Sequence, residues 1–294
     1  MRLELAWGYV RRWYLKNFRR GYLGRMAALR RGDKNVCPFE PLDPRDVKFY
    51  RNLGGYYWEP PDDPFRWRDR LPFVRVGLTE LWLISGSFFA AAIALVWVFL
   101  PLACIPAFLG LCIVWFFRDP RRTTPQEEGL VVAPADGKVV EIRELDHDEY
   151  IGGPALLIGI FLSVFNVHVN RTPVAARVIG LSYRRGKFLN AMRPESSREN
   201  EQLAVRIEQN VAPYRRMIVR QIAGLIARRI VCWVKPGDEL AAGEKFGMIK
   251  LGSRTELLLP REPGMQISVQ FGEMVKAGES VLASYNHRVN VPSV

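Results

Sequence analysis

A chain of 294 residues with 49% hydrophobic side chains has room for one sizeable domain plus appendages, and belongs among globular or membrane-associated proteins. Its formal net charge of +12 asks for an acidic partner, either nucleic acid or an anionic membrane surface. Cys37, Cys104, Cys112 and Cys232 are scattered without metal-ligand spacing, which excludes a disulfide framework and points to a reducing compartment.

In the first 31 residues, Leu3, Trp7, Val10, Tyr14, Phe18, Tyr22, Met26 and Leu29 recur at spacings of three and four. Arg11, Arg12, Lys16, Arg19, Arg20 and Arg25 enrich the remainder, so the segment predicts an amphipathic helix suited to anionic headgroups. A mitochondrial transit peptide has a similar composition, and a helix packed on the protein itself is the plainer alternative. The stretch from Asp33 to Leu71, with Pro60-Pro61-Asp62-Asp63-Pro64, reads as an irregular linker.

From Leu81 to Phe117 there is no charged residue. A span needs about 20 apolar residues, so this run is too long for one upright helix and marginal for two. It predicts a helix from about Leu78 to Leu100, a break at Pro101 to Pro106, and a shorter return helix ending before Arg118-Asp119-Pro120. Both flanks are basic, as expected of flanks facing the cytoplasm. The chain divides into a basic extension (1–77), a membrane hairpin (78–117) and a third, larger domain (118–294).

That third domain reads as mainly β. Leu203, Val205 and Ile207 alternate, a turn follows at Asn210 to Tyr214, and Met217-Ile218-Val219 opens the next strand. The units Val234-Lys235-Pro236-Gly237-Asp238-Glu239 and Val275-Lys276-Ala277-Gly278-Glu279-Ser280 form a weak internal repeat. Such turns occur in the sandwich-like barrels of biotinyl and lipoyl carriers, which supplies one rival: a membrane-anchored carrier or adaptor without catalysis. The chain has no Met-Lys-Met attachment site, and that reading gives the Gly-Ser pair below no purpose. Arginines interleaved with aromatics admit a nucleic-acid reading, but much of the basic excess lies beside the apolar run, so no nucleic-acid partner is expected.

Leu251-Gly252-Ser253-Arg254 lies between two apolar, strand-like stretches. Glycine leaves the approach to its own carbonyl open and tolerates a strained backbone, so the following serine hydroxyl can attack that carbonyl. An N-to-O acyl shift, β-elimination and hydrolysis would then leave a pyruvoyl group at the new amino terminus. Most Gly-Ser pairs are ordinary turns, and context decides.

The context is three further runs, in order: Pro134-Ala135-Asp136-Gly137-Lys138-Val139, Phe165-Asn166-Val167-His168-Val169-Asn170-Arg171, and Arg220-Gln221-Ile222-Ala223-Gly224-Leu225-Ile226-Ala227-Arg228-Arg229-Ile230. With the Gly-Ser element and Phe116-Phe117-Arg118-Asp119-Pro120, they resemble the phosphatidylserine decarboxylase proenzymes over about Phe116 to Leu282. The resemblance implies a sandwich-like β-barrel that cuts itself between Gly252 and Ser253. Two chains would result, the smaller bearing a pyruvoyl cofactor, without pyridoxal phosphate or metal. Phosphatidylserine would then lose carbon dioxide through a Schiff base to give phosphatidylethanolamine.

It also implies that Ser253 attacks, His168 is the general base and Asp136 orients it, since a serine hydroxyl needs a base held in one tautomer. Arg171 and Lys138, beside the motif residues, are expected phosphate partners, with solvated surface charge as the alternative. Two departures stand out. Many bacterial members carry Leu-Gly-Ser-Thr, whereas Arg254 follows the serine here, as in a shorter branch. Some members also have a second histidine where this chain has Phe165. His147 and His287 have no motif support. The expected partners are a phospholipid and a membrane, with a homo-oligomer left open. The expected place is the cytoplasmic face of a bacterial inner membrane, with the mitochondrial inner membrane as the alternative.

Overall fold

Two kinds of apolar patterning build the protein: an unbroken run that becomes paired helices and alternating runs that become a sheet. The computed structural model describes residues 13–14, 17–21 and 66–285, apart from 194, 226–228 and 251. The expected N-terminal helix and Pro-rich linker fall largely outside the described residues, and Cys37 and His287 entirely so.

The charge-free run forms α1 (Arg75–Val96) and α2 (Leu100–Phe116). Their break falls at residues 97–99, ahead of the prolines rather than at them. Pro101 sits in the first turn of α2, where a missing N–H costs nothing, and Pro106 is carried inside the helix. Gly110 of α2 lies against the Phe89 ring of α1, where a Cβ would come within 2.8 Å. By length and composition, α1 is long and apolar enough to cross a membrane.

The strands follow as β1 (Leu130–Val132), β2 (Gly137–Asp148), β3 (Gly153–Leu162), β4 (Val169–Arg171), β5 (Ala176–Arg184), β6 (Gln202–Gln209) and β7 (Arg216–Ala223). After them come β8 (Arg229–Cys232), β9 (Glu239–Leu240), β10 (Lys245–Lys250), β11 (Ser253–Pro260), β12 (Met265–Ile267), β13 (Met274–Val275) and β14 (Val281–Tyr285). Eight of them form an antiparallel sheet in the order β13-β2-β3-β11-β7-β6-β5-β9, curled into a half-barrel. The triplets β4-β10-β8 and β1-β14-β12 share its core, which joins Ile158 and Ile160, Val205 and Ile207, Leu257 and Leu259 to Ile230, Phe246 and Leu282.

Alternation works as expected in β6, where Leu203, Val205 and Ile207 are buried and Arg206 is exposed. The weak repeat is a repeated turn. Gly237 and Gly278 both have positive φ, and the Asp238 and Glu279 N–H groups donate to the Lys235 and Lys276 carbonyls, each at 3.1 Å.

One seam joins helices to sheet. Val74, Leu78, Leu81, Phe116 and Phe117 pack with Val167, Val169 and Met248. Asp119, just past α2, pairs with Arg171 and Lys245, and Glu80 of α1 pairs with Lys250.

Candidate active site

Ser253 is the first residue of β11, opposite Leu162 of β3 on one side and Ala223 of β7 on the other. The strand is therefore central, and the serine is fully buried. Its Oγ has no hydrogen-bond partner among the described residues, an uncommon state for a buried hydroxyl. Gly252 has φ +63°, and nothing lies within 4 Å of where its Cβ would stand. Backbone conformation, not space, selects glycine there.

Gly224, at the end of β7, has the opposite reason. A Cβ on it would come within 2.1 Å of the Gly252 carbonyl oxygen and 3.0 Å of the carbonyl carbon. Its missing side chain keeps open the space around the carbonyl that a Ser253 attack would use.

His168, just ahead of β4, is also fully buried. Its Nδ1 lies 2.9 Å from the Asn166 carbonyl, and its Nε2 lies 3.2 Å from the Gly252 nitrogen. A carbonyl only accepts, so Nδ1 carries the proton and Nε2 presents its lone pair to the Gly252 N–H. Burial lowers the imidazole pKa to about 4; the Asn166 carbonyl opposes that shift and the Arg118 cation adds to it. The ring is thus neutral at pH 7. Phe116, the last residue of α2, covers it with ring centroids 4.5 Å apart.

Asp136 is buried where β2 begins, and it does not meet His168. It accepts two hydrogen bonds from Arg122, at 3.0 and 2.7 Å, and one from the Ala277 N–H at 2.8 Å. Burial raises its carboxyl pKa, against the pull of the Ala277 N–H and of Arg122. The tautomer of His168 is fixed by the Asn166 main chain instead. Arg118 lies close enough for its charge to act on both Asp136 and His168.

Arg171 is buried and committed, donating to Asp119 at 3.1 Å and to the Gly243 carbonyl at 3.0 Å. Lys138 is exposed on β2. Phe165 is 70% exposed, and its carbonyl accepts from Trp115 Nε1 and Arg118 Nη2. His147 lies on the exposed end of β2, and among the described residues no cluster of three His, Cys, Asp or Glu could hold a metal.

A buried polar set lies beside the site that spacing alone did not single out. Asn170 of β4 donates to Thr255 Oγ1 at 2.9 Å and accepts from Gln221 Nε2 at 2.8 Å. It ties β4 to β11 and β7 two positions along β11 from Ser253, on the same face of the sheet. The signal was present as polar residues inside otherwise apolar strand runs, which are worth reading as a group.

A profile of the phosphatidylserine decarboxylase family matches residues 109–283. The chain is 51% identical over 239 residues to the phosphatidylserine decarboxylase proenzyme of Rhodopirellula baltica, covering 81% of this chain and 99% of that protein. It is 43% identical over 224 residues to the proenzyme of that name from Syntrophus aciditrophicus (76% and 99%), and 43% identical over 203 residues to that of Symbiobacterium thermophilum (69% and 93%). On that match and those identities, the chain belongs to the phosphatidylserine decarboxylase family.

Proposed function

We propose that this protein is a phosphatidylserine decarboxylase proenzyme that cuts itself between Gly252 and Ser253. The observation that carries this reading is the buried, unpartnered Ser253 hydroxyl one residue from the lone pair of a neutral histidine. Ser253 Oγ attacks the Gly252 carbonyl in the space left by Gly224, while His168 Nε2 takes the hydroxyl proton. The resulting ester undergoes β-elimination, so that Gly252 leaves as the carboxyl end of the large chain and residue 253 becomes dehydroalanine; water then hydrolyses its imine form to a pyruvoyl group and releases ammonia. Asp136, held by Arg122 and the Ala277 N–H, acts on His168 only through Arg118, whose charge bears on both groups.

These residues fit a pyruvoyl group at position 253, since the position is buried and sits beside a base. When formed, that carbonyl supplies the electron sink for loss of carbon dioxide from the serine headgroup. The residues around it exclude water and hold the headgroup. Arg118 bonds the neutral Trp115 and Phe165 carbonyls, so we assign it as the headgroup cation ahead of Arg171, whose charge is met by Asp119.

The apolar surface supports a substrate that stays in its bilayer. β3, β11 and β7 reach the Ser253 end of the sheet together, and the loops there expose Val164, Phe165 and Leu225. Trp115 joins this rim to α2, α1 and α2 expose Trp82, Leu100, Ile105 and Phe108, and Trp97 is exposed in the break between them. We assign the helix pair to the membrane, the sheet domain to its cytoplasmic side, and a bacterial inner membrane as its place. A non-enzymatic carrier would give neither the Ser253 hydroxyl nor the Gly252 conformation a purpose.

The test is the intact mass of the purified protein under denaturing, reducing conditions. Two chains meeting between residues 252 and 253, with a pyruvoyl end on the smaller, are expected. A single chain of 33.7 kDa in a preparation that decarboxylates phosphatidylserine would overturn the reading.

A further inference from the structure

Side chains alternate along β11, so Ser253, Thr255 and Leu257 face one side of the sheet while Arg254, Glu256 and Leu258 face the other. Charges are rare in the middle of a sheet, yet Arg254 is only 2% exposed and Glu256 not at all. Four residues stand in one cross-strand row: Glu141 of β2, Gly159 of β3, Glu256 of β11 and Arg220 of β7. The Arg254 guanidinium lies over Gly159, between the two carboxylates. It donates to Glu256 at 2.9 Å and pairs with Glu141, while Glu256 also accepts from Arg220 at 2.7 Å.

Gly159 is the passage that permits this. A Cβ there would stand 2.6 Å from Arg254 Nη2 and 3.2 Å from the Glu141 side chain. Arg254 therefore crosses a whole strand to reach its partner.

We propose that Arg254 is a positioning residue: its bridge over Gly159 to Glu141 holds the first residues of the small chain in place once the Gly252–Ser253 bond is cut. This rests on the self-cleavage reading above. Before the cut, residue 253 is tethered covalently on both sides. After it, residue 253 is a chain end, and chain ends loosen unless tied down. Glu141, Gly159 and Arg220 all belong to the large chain, so the row becomes a cross-link between chains, one residue from the reactive carbonyl. A displacement of about 1 Å at such a group can cost about a hundredfold in rate.

The experiment compares full-length Arg254→Met, Arg254→Lys and Glu141→Gln proteins in mixed micelles of detergent and phosphatidylserine. It reads the extent of cutting by intact mass, and kcat and KM per pyruvoyl-bearing small chain. We expect cutting close to that of the parent, and kcat lower by about ten- to a hundredfold in Arg254→Met at unchanged KM. Arg254→Lys should recover part of the loss, and Glu141→Gln, whose side chain reaches the surface, should lose several-fold. Should Arg254→Met fail to fold, Glu141→Gln decides alone. Turnover per cut chain within twofold of the parent in Glu141→Gln, or a loss of cutting in proportion to turnover, would overturn the proposal. An uncut parent overturns the cleavage reading as well, and its single mass identifies that outcome before any variant is compared.

Discussion

The sheet domain and the helix pair are both rich in leucine, isoleucine, valine and phenylalanine, yet they treat those residues in opposite ways. In the sheet, Leu156, Ile158, Ile160, Leu257 and Leu259 are fully buried. On the helices, Trp82 is 70% exposed and Phe108 66% exposed. Exposed apolar residues scattered singly are ordinary, whereas a contiguous apolar patch marks a surface for a partner protein or a membrane. Among the described residues the sheet buries its own apolar side chains, whereas many of those on the helix pair are left exposed. The seam at Phe116 and Phe117 is where the two regimes meet, and it lies on the histidine of the proposed site.

Variants that act on one region and spare the other sharpen this contrast. Ser253→Ala should have the largest effect: a single uncut chain, no decarboxylation, and undiminished recovery with membranes, read by mass and by fractionation. His168→Ala should slow cutting by about 100- to 10,000-fold, the ordinary worth of a general base, followed as the appearance of the small chain over time. Phe116→Ala at the seam should cost about 3–5 kcal/mol of stability at most, because a large buried ring is lost. It should also slow cutting while leaving membrane recovery intact, which thermal unfolding and mass together would detect. Replacing Leu102 and Ile105 of α2 by serine should do the reverse, weakening recovery with vesicles at unchanged cutting.

The smallest effect is on pH. The unfolded chain binds a proton on His168 near pH 6.5, whereas the folded chain refuses it down to about pH 4. Stability contributed by this group is therefore constant above pH 6.5 and falls as pH drops through that window, by about 1.4 kcal/mol per unit. The rate of cutting should stay level from pH 8 to about 5 and decline only as His168 protonates near pH 4, which a stopped time course at each pH would check.

What could be read from sequence followed the reach of each signal. Gly252 and Ser253 stand out in sequence only through the ordered runs around them, since such a pair alone is an ordinary turn, and the left-handed backbone of Gly252 becomes visible only in the fold. The β6–β7 hairpin was legible because alternation is a local property of the strand. The break between the helices was misplaced because proline both ends a helix and begins one, and at Pro101 the second use prevails. Asp136 was expected on His168, yet Arg122 and the Ala277 main chain hold it. Those partners lie 14 and 141 residues away, where no local pattern points. Arg171 reads as a free cation until the fold brings Asp119 to it, and Gly224 reads as one more loop glycine until the Gly252 carbonyl stands against it.

β11 lies between β3 and β7, with register fixed over eight residues on one side and six on the other. A strand in that position is set only when both neighbours are in place, and they come from residues 153–162 and 216–223. The junction at Gly252 therefore acquires its geometry only once β3 and β7 stand on either side of β11. Ribosomes making residues 1–252 and 253–294 as separate products would have to assemble the middle of a sheet from two partners in solution, a step that the continuous chain performs within itself.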